Sequence, residues 1–395
     1  MLDMEIRTYS LSDVLTLIMD FRGKTPKKLG LDWSPDGDVA AISAKNIKHG
    51  QLVNMDKCHR GSVRLYKTWM KDGDLREGDL LLTSEAPLGE WYQVKAGDKF
   101  ILSQRTFALR PNPKIVDADY FASVVSSRHF QDVLHNFATG TTVMGIRQKT
   151  LLTVPIELPD IETQRRIGQV ISDLHAKVEL NQQINKNLLK VCRLQFDKFK
   201  QACSAATELS NIATLIMGQS PKGDTYNQNG EGTPLLNGAA DFRGGINPSK
   251  YTSDPKKVTE PGDYVFGVRA TIGLTTKVFN RYAIGRGTGL ARALSYKSDE
   301  LLYFIMEDAF SYFARASTGS VYLNISRREF ETYAAPDFSN ITIKQFHEFA
   351  SPLMQQIYQN QKQNEELTQL RELLLPRLLA GDIDLSNIET VMNNA

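Results

Sequence analysis

The sequence has little cysteine and no long apolar run. Only three cysteines occur among 395 residues, Cys58, Cys192 and Cys203, and no CxxC pair is present. This number and scatter exclude a disulfide framework. No apolar run approaches the ~18 to 20 residues that span a bilayer. The opening residues carry acids and lack the apolar core of a signal peptide. The sequence therefore predicts a cytoplasmic protein that does not enter a membrane.

Common catalytic signatures are also missing. No GxxxxGK[ST], GxGxxG, HExxH or GxSxG motif occurs. Gly23-Lys24-Thr25 resembles the end of a phosphate-binding loop, but Ile18 stands where that loop requires its first glycine. The six histidines lack the spacing of metal ligands. These absences favour a binding protein over an enzyme and predict no metal or cofactor in this chain.

One stretch, Ile161 to Lys200, predicts an unusually long helix. It contains no proline and one glycine. At about 1.5 Å per residue it would be roughly 60 Å long, and isolated helices are marginal in water, so it needs a partner. Apolar residues recur three and four apart, as on one face of a helix: Ile167, Ile171, Leu174, Val178, Ile184, Leu188, Val191 and Leu194.

The partner is predicted by an internal repeat. The helix pattern recurs 179 residues further on, so that Val178, Asn181, Asn185 and Leu188 match Ile357, Asn360, Asn364 and Leu367. Upstream, LSDVLTLIMD at 11–20 matches LSNIATLIMG at 209–218, and residues 85–89 resemble residues 269–273. The order of the blocks is kept while the offset grows, as in a diverged duplication.

The repeat predicts an α+β protein in which two mixed α/β domains are separated by an antiparallel coiled coil of two long helices with pseudo-two-fold symmetry. We expect domains at 1–158 and 207–338, spacer helices at 159–206 and 339–383, and a tail at 384–395. Turn residues divide short strand-like runs in both domains. Shorter helices are expected at Leu11–Met19, Ala118–Phe137 and Asp299–Ala316.

Two asparagines interrupt the apolar face of each long helix. One interpretation is that Asn181 and Asn185 face solvent. The other is that they specify the register of the coiled coil. If the helices run antiparallel about the repeat axis, Asn181 lies near Asn364 and Asn185 near Asn360.

Basic residues are concentrated near the start of the chain. Residues 22–60 hold eight Lys or Arg and four Asp, whereas the whole chain has a net charge of only +2. Segregated charge of this kind suits phosphate contact, and interleaved Asn, Gln and Arg suit base-edge readout. For any single lysine, a solvated surface position is the simpler explanation. The candidate DNA-binding residues are Lys24, Lys27, Lys45, Asn46, Lys48, Ser84, Glu85, Gln104, Arg105, Thr141, Thr142, Arg147 and Gln148 in the first half, and Gln219, Lys222, Asn237, Arg243, Arg269, Arg286, Ser320, Tyr322 and Arg327 in the second.

Four blocks carry a resemblance to a known family: residues 78–90, 101–111, 177–196 and 370–383. With them the chain resembles the specificity subunits of Type I restriction–modification enzymes. The resemblance implies two target-recognition domains that each read half of a split, asymmetric double-stranded DNA site, with the long helices as spacer. It also implies docking of two methyltransferase subunits, joined by restriction subunits. S-adenosylmethionine, ATP and Mg²⁺ would belong to those partners.

Two other interpretations remain open from the residues alone. One is a coiled-coil scaffold that binds proteins without sequence-specific DNA binding. The other is an enzyme whose site follows no common motif. If the chain is instead a DNA-recognition subunit, the two half-site centres should lie about one helical turn of DNA apart, roughly 34 Å.

Overall fold

A computed structural model describes residues 5–71, 73–140, 142–243, 245–269, 271–316 and 325–383, and the chain divides into two compact units. Unit 1 takes the chain up to Lys177 and again from Leu367 on, and unit 2 is the single segment Val178–Glu366. No helix in the described ranges is long and apolar enough to cross a bilayer.

Unit 1 begins with an α+β domain. Its elements are β1 (Arg7–Ser10), α1 (Leu11–Val14), β2 (Leu15–Asp20), β3 (Val39–Ile42), β4 (Ile47–Lys48), β5 (Gln51–Leu52), β6 (Arg60–Gly61), α2 (Val63–Trp69), β7 (Leu80–Ser84), β8 (Leu88–Gln93), β9 (Phe100–Leu102), β10 (Thr106–Pro111), α3 (Ala118–Ser126), α4 (Arg128–Asn136), α5 (Gln148–Leu151) and β11 (Pro155–Leu158). The main sheet is antiparallel with the order β2-β10-β7-β8, and a second sheet, β6-β3-β9, pairs β3 with β9 in parallel.

The chain then forms the first long helix and the domain of unit 2. The elements are α6 (Ile161–Gln201), β12 (Ala206–Glu208), β13 (Ala213–Met217), β14 (Tyr226–Asn227), β15 (Thr233–Leu236), β16 (Lys250–Thr252), β17 (Tyr264–Arg269), β18 (Thr271–Lys277), β19 (Ala283–Ile284), β20 (Thr288–Ala293), α7 (Asp299–Ala316), α8 (Arg327–Glu331), β21 (Ala334–Pro336) and the second long helix, α9 (Asn340–Leu379). The order β13-β20-β17-β18 and the parallel pair β15/β19 repeat the topology of unit 1. The duplication seen in the sequence therefore extends to strand order.

An ion pair between an arginine and a buried aspartate is repeated in both units. In unit 1 the Arg110 guanidinium donates to both carboxylate oxygens of Asp79, each at 2.8 Å. In unit 2 Arg292 donates to Asp263 in the same way, at 2.6 and 2.9 Å. Each aspartate is 1% exposed and ends a turn before a central strand. Because a buried charge must be paired, this contact fixes the turn in each copy.

Each unit closes its main core with both long helices. In unit 1 the core includes Ile167 and Ile171 from α6 and Leu375 and Leu378 from α9. In unit 2 a cluster of aromatic rings surrounds Phe196 of α6, including Phe304 at 5.4 Å between centroids and Phe346 of α9 at 6.1 Å. Burial of these aliphatic side chains in unit 1 and of these rings in unit 2 holds the long helices against each domain.

The apolar face of α6 differs in part from the predicted one. The buried residues of α6 include Ile167, Ile171, Leu174, Asn181, Cys192 and Phe196. Ile184, Val191 and Leu194 are instead exposed, at 37%, 45% and 61%. The buried and half-buried positions continue three and four residues apart through Val178, Asn181, Asn185, Leu188 and Cys192. Ile184 and Val191 each lie one position away from this seam, because the seam passes through the asparagines that interrupt the apolar pattern. Ile184, Val191 and Leu194 form a second apolar face that the unit itself does not cover.

Two of the shorter predicted helices were wrong. The segment Leu11–Met19 is helical only in α1, and β2 begins at Leu15 because its residues pair with β10. The segment Ala118–Phe137 forms two helices, α3 and α4. It breaks at Ser127, whose hydroxyl accepts a hydrogen bond from the Phe130 amide and caps α4.

Asparagines pair across the two long helices within unit 2. The Asn181 amide donates to Asn364 Oδ1 at 2.9 Å and to Gln363 Oε1 at 2.8 Å. The Asn360 amide donates to Asn185 Oδ1 at 2.8 Å. These are the antiparallel contacts that the duplication predicts. Since Asn181 is buried and Asn185 is half-buried with its side chain accepting from Asn360, the solvent-facing interpretation of these two residues is wrong.

Replacement of Asn181 tests this amide cluster. We expect Asn181→Ala to lower the free energy of unfolding by about 1–3 kcal/mol, because the half-buried amide oxygens of Gln363 and Asn364 lose the donor that Asn181 supplies. The neighbouring Gln183→Ala, at an exposed position of the same helix, is the matched control. Urea unfolding of both variants measures the difference. Equal stability of the two variants would rule out a structural role for the cluster.

Candidate nucleic-acid interface

A groove of about 830 Å³ opens in the domain of unit 1, and we call it groove 1. The segment before β3, the turn after β3 and the turn after β9 form its walls, because β3 and β9 run parallel and end side by side. Its lining includes the predicted residues Lys24, Lys27, Lys45, Asn46, Gln104 and Arg105. Four of the basic residues predicted from the sequence, Lys24, Lys27, Lys45 and Arg105, thus converge on one concave surface.

The lining of groove 1 is strongly basic. Lys27, Lys45 and Lys57 are exposed, and none of the three side chains has a partner among the described residues. The Lys24 ammonium already has a partner within the protein, because it donates a hydrogen bond to the Trp69 carbonyl at 2.6 Å. Asp32 is the one acid in the described lining. An anionic ligand would therefore meet free cations here.

An aromatic wall in groove 1 was missed by the sequence analysis. Trp33 stacks on His59 with 5.3 Å between ring centroids, and Trp69 lies 5.7 Å from Trp33. Cys58 lies beside them, and burial raises the pKa of its thiol, which keeps it protonated. The available signal was the presence of Trp33 and His59 inside the basic segment.

Arg105 has a strained backbone. Its φ of 65° is unusual for a residue other than glycine, and such strain persists only where surrounding contacts hold it. The Arg105 carbonyl accepts the Ser84 amide at 2.9 Å, and Glu85 accepts its guanidinium Nε at 2.8 Å. Glu85 thus orients Arg105 at the groove.

Two predicted contact residues have internal roles. The Asn46 side chain is buried, accepts from Ser43 N at 3.1 Å and donates to Val53 O at 3.2 Å, so it shapes the turn after β3. Ser84 is 1% exposed at the end of β7. Its carbonyl accepts the Ile146 amide and so holds the loop before α5. Neither side chain is available to DNA.

Other predicted residues lie outside the described lining of the grooves. Lys48, Thr142 and Arg147 are exposed, and Gln148 is half-buried at the start of α5. In unit 2, Gln219 and Lys222 are exposed, and Arg327 pairs with Glu331 at 2.7 Å within α8. Thr141, Ser320 and Tyr322 lie outside the described residues.

Unit 2 has an equivalent groove of about 500 Å³, which we call groove 2. Its lining brings together the predicted residues Asn237, Arg243, Arg269 and Arg286, and no acid occurs in the described lining. Arg269 and Arg286 are exposed and have no partner within the described ranges. This groove is smaller, and the cations of its described lining are arginines, whereas those of groove 1 are mainly lysines.

The glycine-rich turn before β20 closes groove 2 tightly. A Cβ on Gly285 would lie 2.2 Å from Asn237 Oδ1, and a Cβ on Gly287 would lie 2.3 Å from the Asn237 carbonyl. Larger residues at these positions would collide with the turn after β15. Arg286, between the two glycines, is the position in this turn that carries a long side chain.

The described residues hold no group of three or more His, Cys, Asp or Glu side chains arranged for a metal ion. The residues that line the two grooves present unpaired cations and amide groups, and groove 1 also presents aromatic rings. These groups suit a polyanion whose bases also present hydrogen-bonding edges.

Comparison with known proteins finds a matching family model and similar proteins. Residues 3–190 match the Type I restriction modification DNA specificity domain. The putative MjaX type I restriction enzyme specificity subunit of Methanocaldococcus jannaschii is 26% identical over 96% of this chain and 94% of its own length. The MjaIX specificity subunit of the same organism is 22% identical over 91% of this chain and 90% of its own.

A solved structure agrees in fold. The S subunit of a Type-I restriction-modification system from M. genitalium superposes with a TM-score of 0.59 at 15% identity. The superposition covers 95% of this chain and 96% of that one. The two-domain α+β fold with long helices is therefore one that such subunits adopt.

Proposed function

Residues 3–190 belong to the family of Type I restriction modification DNA specificity domains, and from this premise we propose that the chain is the DNA sequence-recognition subunit of such an enzyme. It binds a bipartite, asymmetric site in double-stranded DNA, one half-site in each groove. The observation that carries the proposal is the repeated groove: both copies of the duplication form a groove where a pair of parallel strands ends, and unpaired cations line each of the two grooves.

Binding divides between two kinds of contact. Lys27, Lys45 and Lys57 contact phosphates, which gives affinity that falls with salt and is independent of sequence. Gln104, Arg269 and Arg286 reach base edges in the major groove and select the sequence. Differences between groove 1 and groove 2 make the two half-sites different, and the full site is therefore asymmetric.

The long helices separate the two recognition domains in this proposal. We assign recognition to residues 1–158 and 207–338 and spacing to residues 159–206 and 339–383. Their length would set the distance between half-sites, about one turn of DNA or roughly 34 Å from centre to centre. Partner chains would bind S-adenosylmethionine, ATP and Mg²⁺ and carry out methylation and cleavage. This chain would determine which DNA sequence they act on.

Exposed apolar residues on the long helices support docking of two methyltransferase subunits. Val191 and Leu194 on α6 are 45% and 61% exposed, and their repeat equivalents Leu370 and Leu373 on α9 are 39% and 60% exposed. The first pair belongs to unit 2 and the second to unit 1. A partner present in two copies would meet the same apolar surface once in each unit, as a duplicated chain allows.

The salt dependence of DNA binding tests the phosphate contacts. We expect the triple change of Lys27, Lys45 and Lys57 to Gln to weaken binding of the chain to any mixed-sequence duplex. The slope of log K against log salt should fall by about 0.9 for each phosphate that the variant no longer neutralises. Fluorescence anisotropy with a labelled duplex at several salt concentrations measures the slope.

The control is the triple change of Lys67, Lys71 and Lys114 to Gln, which removes the same charge at exposed positions outside groove 1. It should leave the slope near that of the wild type. If both triple variants lowered the slope equally, groove 1 would not be the interface. If the unchanged chain and its methyltransferase retained no DNA at moderate salt, a protein-binding scaffold would be the better description.

A further inference from the structure

We propose that one equivalent position in the two grooves, Gln104 in groove 1 and Arg286 in groove 2, selects a base in each half-site. Gln104 takes an adenine and Arg286 takes a guanine. This inference rests on the proposed function and deepens it, because it assigns base identity to single side chains.

The equivalence of the two positions is fixed by the backbone. Gln104 lies two residues after Leu102, which pairs with Ile42, and Arg286 lies two residues after Ile284, which pairs with Leu236. The residue before each one donates its amide to the end of the neighbouring strand: Ser103 N to Ile42 O and Gly285 N to Leu236 O, both at 2.8 Å.

The residue after each one is also held in the same way. The Arg105 carbonyl accepts the Ser84 amide at 2.9 Å, and the Gly287 carbonyl accepts the Val268 amide at 3.1 Å. The chain on both sides of Gln104 and Arg286 is therefore pinned to the same two strands in each unit. Two side chains that start between equivalently hydrogen-bonded neighbours occupy the same position relative to their grooves.

Both side chains are available. Gln104 and Arg286 are exposed and line their grooves, and neither side chain has a partner among the described residues. A glutamine amide presents one donor and one acceptor, which match adenine N7 and N6. A guanidinium presents two donors, which match guanine N7 and O6.

The neighbouring charges agree with this assignment. Glu85 immediately follows Ser84 and pairs with Arg105, so the charges beside Gln104 cancel. In groove 2, Arg269 follows Val268 at the position of Glu85, and Gly287 occupies the position of Arg105. Groove 2 thus adds a second unpaired guanidinium beside Arg286, which suits the electronegative major-groove edge of guanine.

The test exchanges the two side chains in the complex of the full chain with its methyltransferase. A plasmid library with random inserts is methylated by each complex, and methylation-sensitive sequencing gives the recognised motif. Gln104→Arg should change one A·T pair to G·C in one half-site only. Arg286→Gln should change one G·C pair to A·T in the other half-site only. Each preference should shift by about tenfold to a hundredfold, the range of a bidentate contact.

Matched controls are Gln201→Arg and Arg281→Gln, which make the same chemical changes at exposed positions outside both grooves. They should leave the motif unchanged. The inference is overturned if the exchanged variants assemble and keep the wild-type motif, change the wrong half-site, or methylate no sequence. The motif of the wild-type complex is determined first. If it is not bipartite, the proposed function is refuted, whatever the variants do.

Discussion

Asp79→Ala is expected to lower the free energy of unfolding of unit 1 by about 3–5 kcal/mol, the usual effect of leaving one member of a buried ion pair unpaired. The Arg110 side chain is only 15% exposed and would keep its charge without the two carboxylate oxygens that now accept from it. The Arg76 amide, which donates to the same carboxylate at 2.8 Å, would lose its acceptor as well. A loss of this size is a large part of the stability of an ordinary domain.

The second copy of the ion pair provides an internal comparison. Asp263→Ala should destabilise unit 2 by less than Asp79→Ala destabilises unit 1. Arg292 is 38% exposed and keeps a second acceptor, Glu260, at 2.9 Å. Hydrogen exchange followed by mass spectrometry resolves the two units, with β7 and β8 reporting on one and β17 and β18 on the other.

An exposed ion pair serves as the control for these substitutions. Glu162→Ala breaks the contact between Arg165 and Glu162, whose side chains are 54% and 73% exposed, and should change stability by at most about 1 kcal/mol. The double variant Asp79→Leu with Arg110→Met should recover most of the loss, since apolar replacements of a buried pair are often neutral. Failure of the double variant to recover would mean that the turn depends on the charges themselves.

Loss of the exposed apolar pairs is expected to remove methyltransferase subunits one at a time. Val191→Asp with Leu194→Asp should leave one methyltransferase bound per chain, and Leu370→Asp with Leu373→Asp should also leave one. All four substitutions together should leave none. A charge placed in an apolar interface must be desolvated without a partner, which is enough to abolish docking. Native mass spectrometry of the complex counts the subunits directly.

The control for docking uses the same residue types at other exposed positions. Val63→Asp with Leu294→Asp changes side chains that are 40% and 61% exposed and lie off the long helices. This variant should bind two methyltransferases. If it lost subunits as readily, general destabilisation would be the cause. If the helix variants retained both subunits, the docking surface would lie elsewhere.

Much of the fold could be predicted because the sequence contains two diverged copies of the same structural unit. The pairing of Asn181 with Asn364 follows from the offset between the repeats and an antiparallel arrangement, with no other information. Local signals were weaker where tertiary pairing decides the outcome. Leu15 to Met19 have an apolar pattern that fits a helix, yet they form a strand because β10 provides an edge to pair with.

The binding surfaces were predicted in composition more than in detail. Clustering of basic residues identified the walls of groove 1, because charge is visible in the sequence. The internal role of Asn46 could not be predicted, because the sequence does not distinguish an asparagine that caps a turn from one that contacts a base. Trp33 and His59 were missed because stacking depends on the path of a loop, which periodicity does not describe.

The division of the chain between the two units has a consequence for its synthesis. Unit 2 is one uninterrupted segment, whereas the core of unit 1 includes Leu375 and Leu378 near the end of α9. A ribosome that has completed Lys177 must add every residue of unit 2 before it reaches those leucines. At about 5–20 residues per second this takes roughly 10–40 s. The domain made first therefore waits with part of its apolar surface uncovered, while the domain made second can close at once.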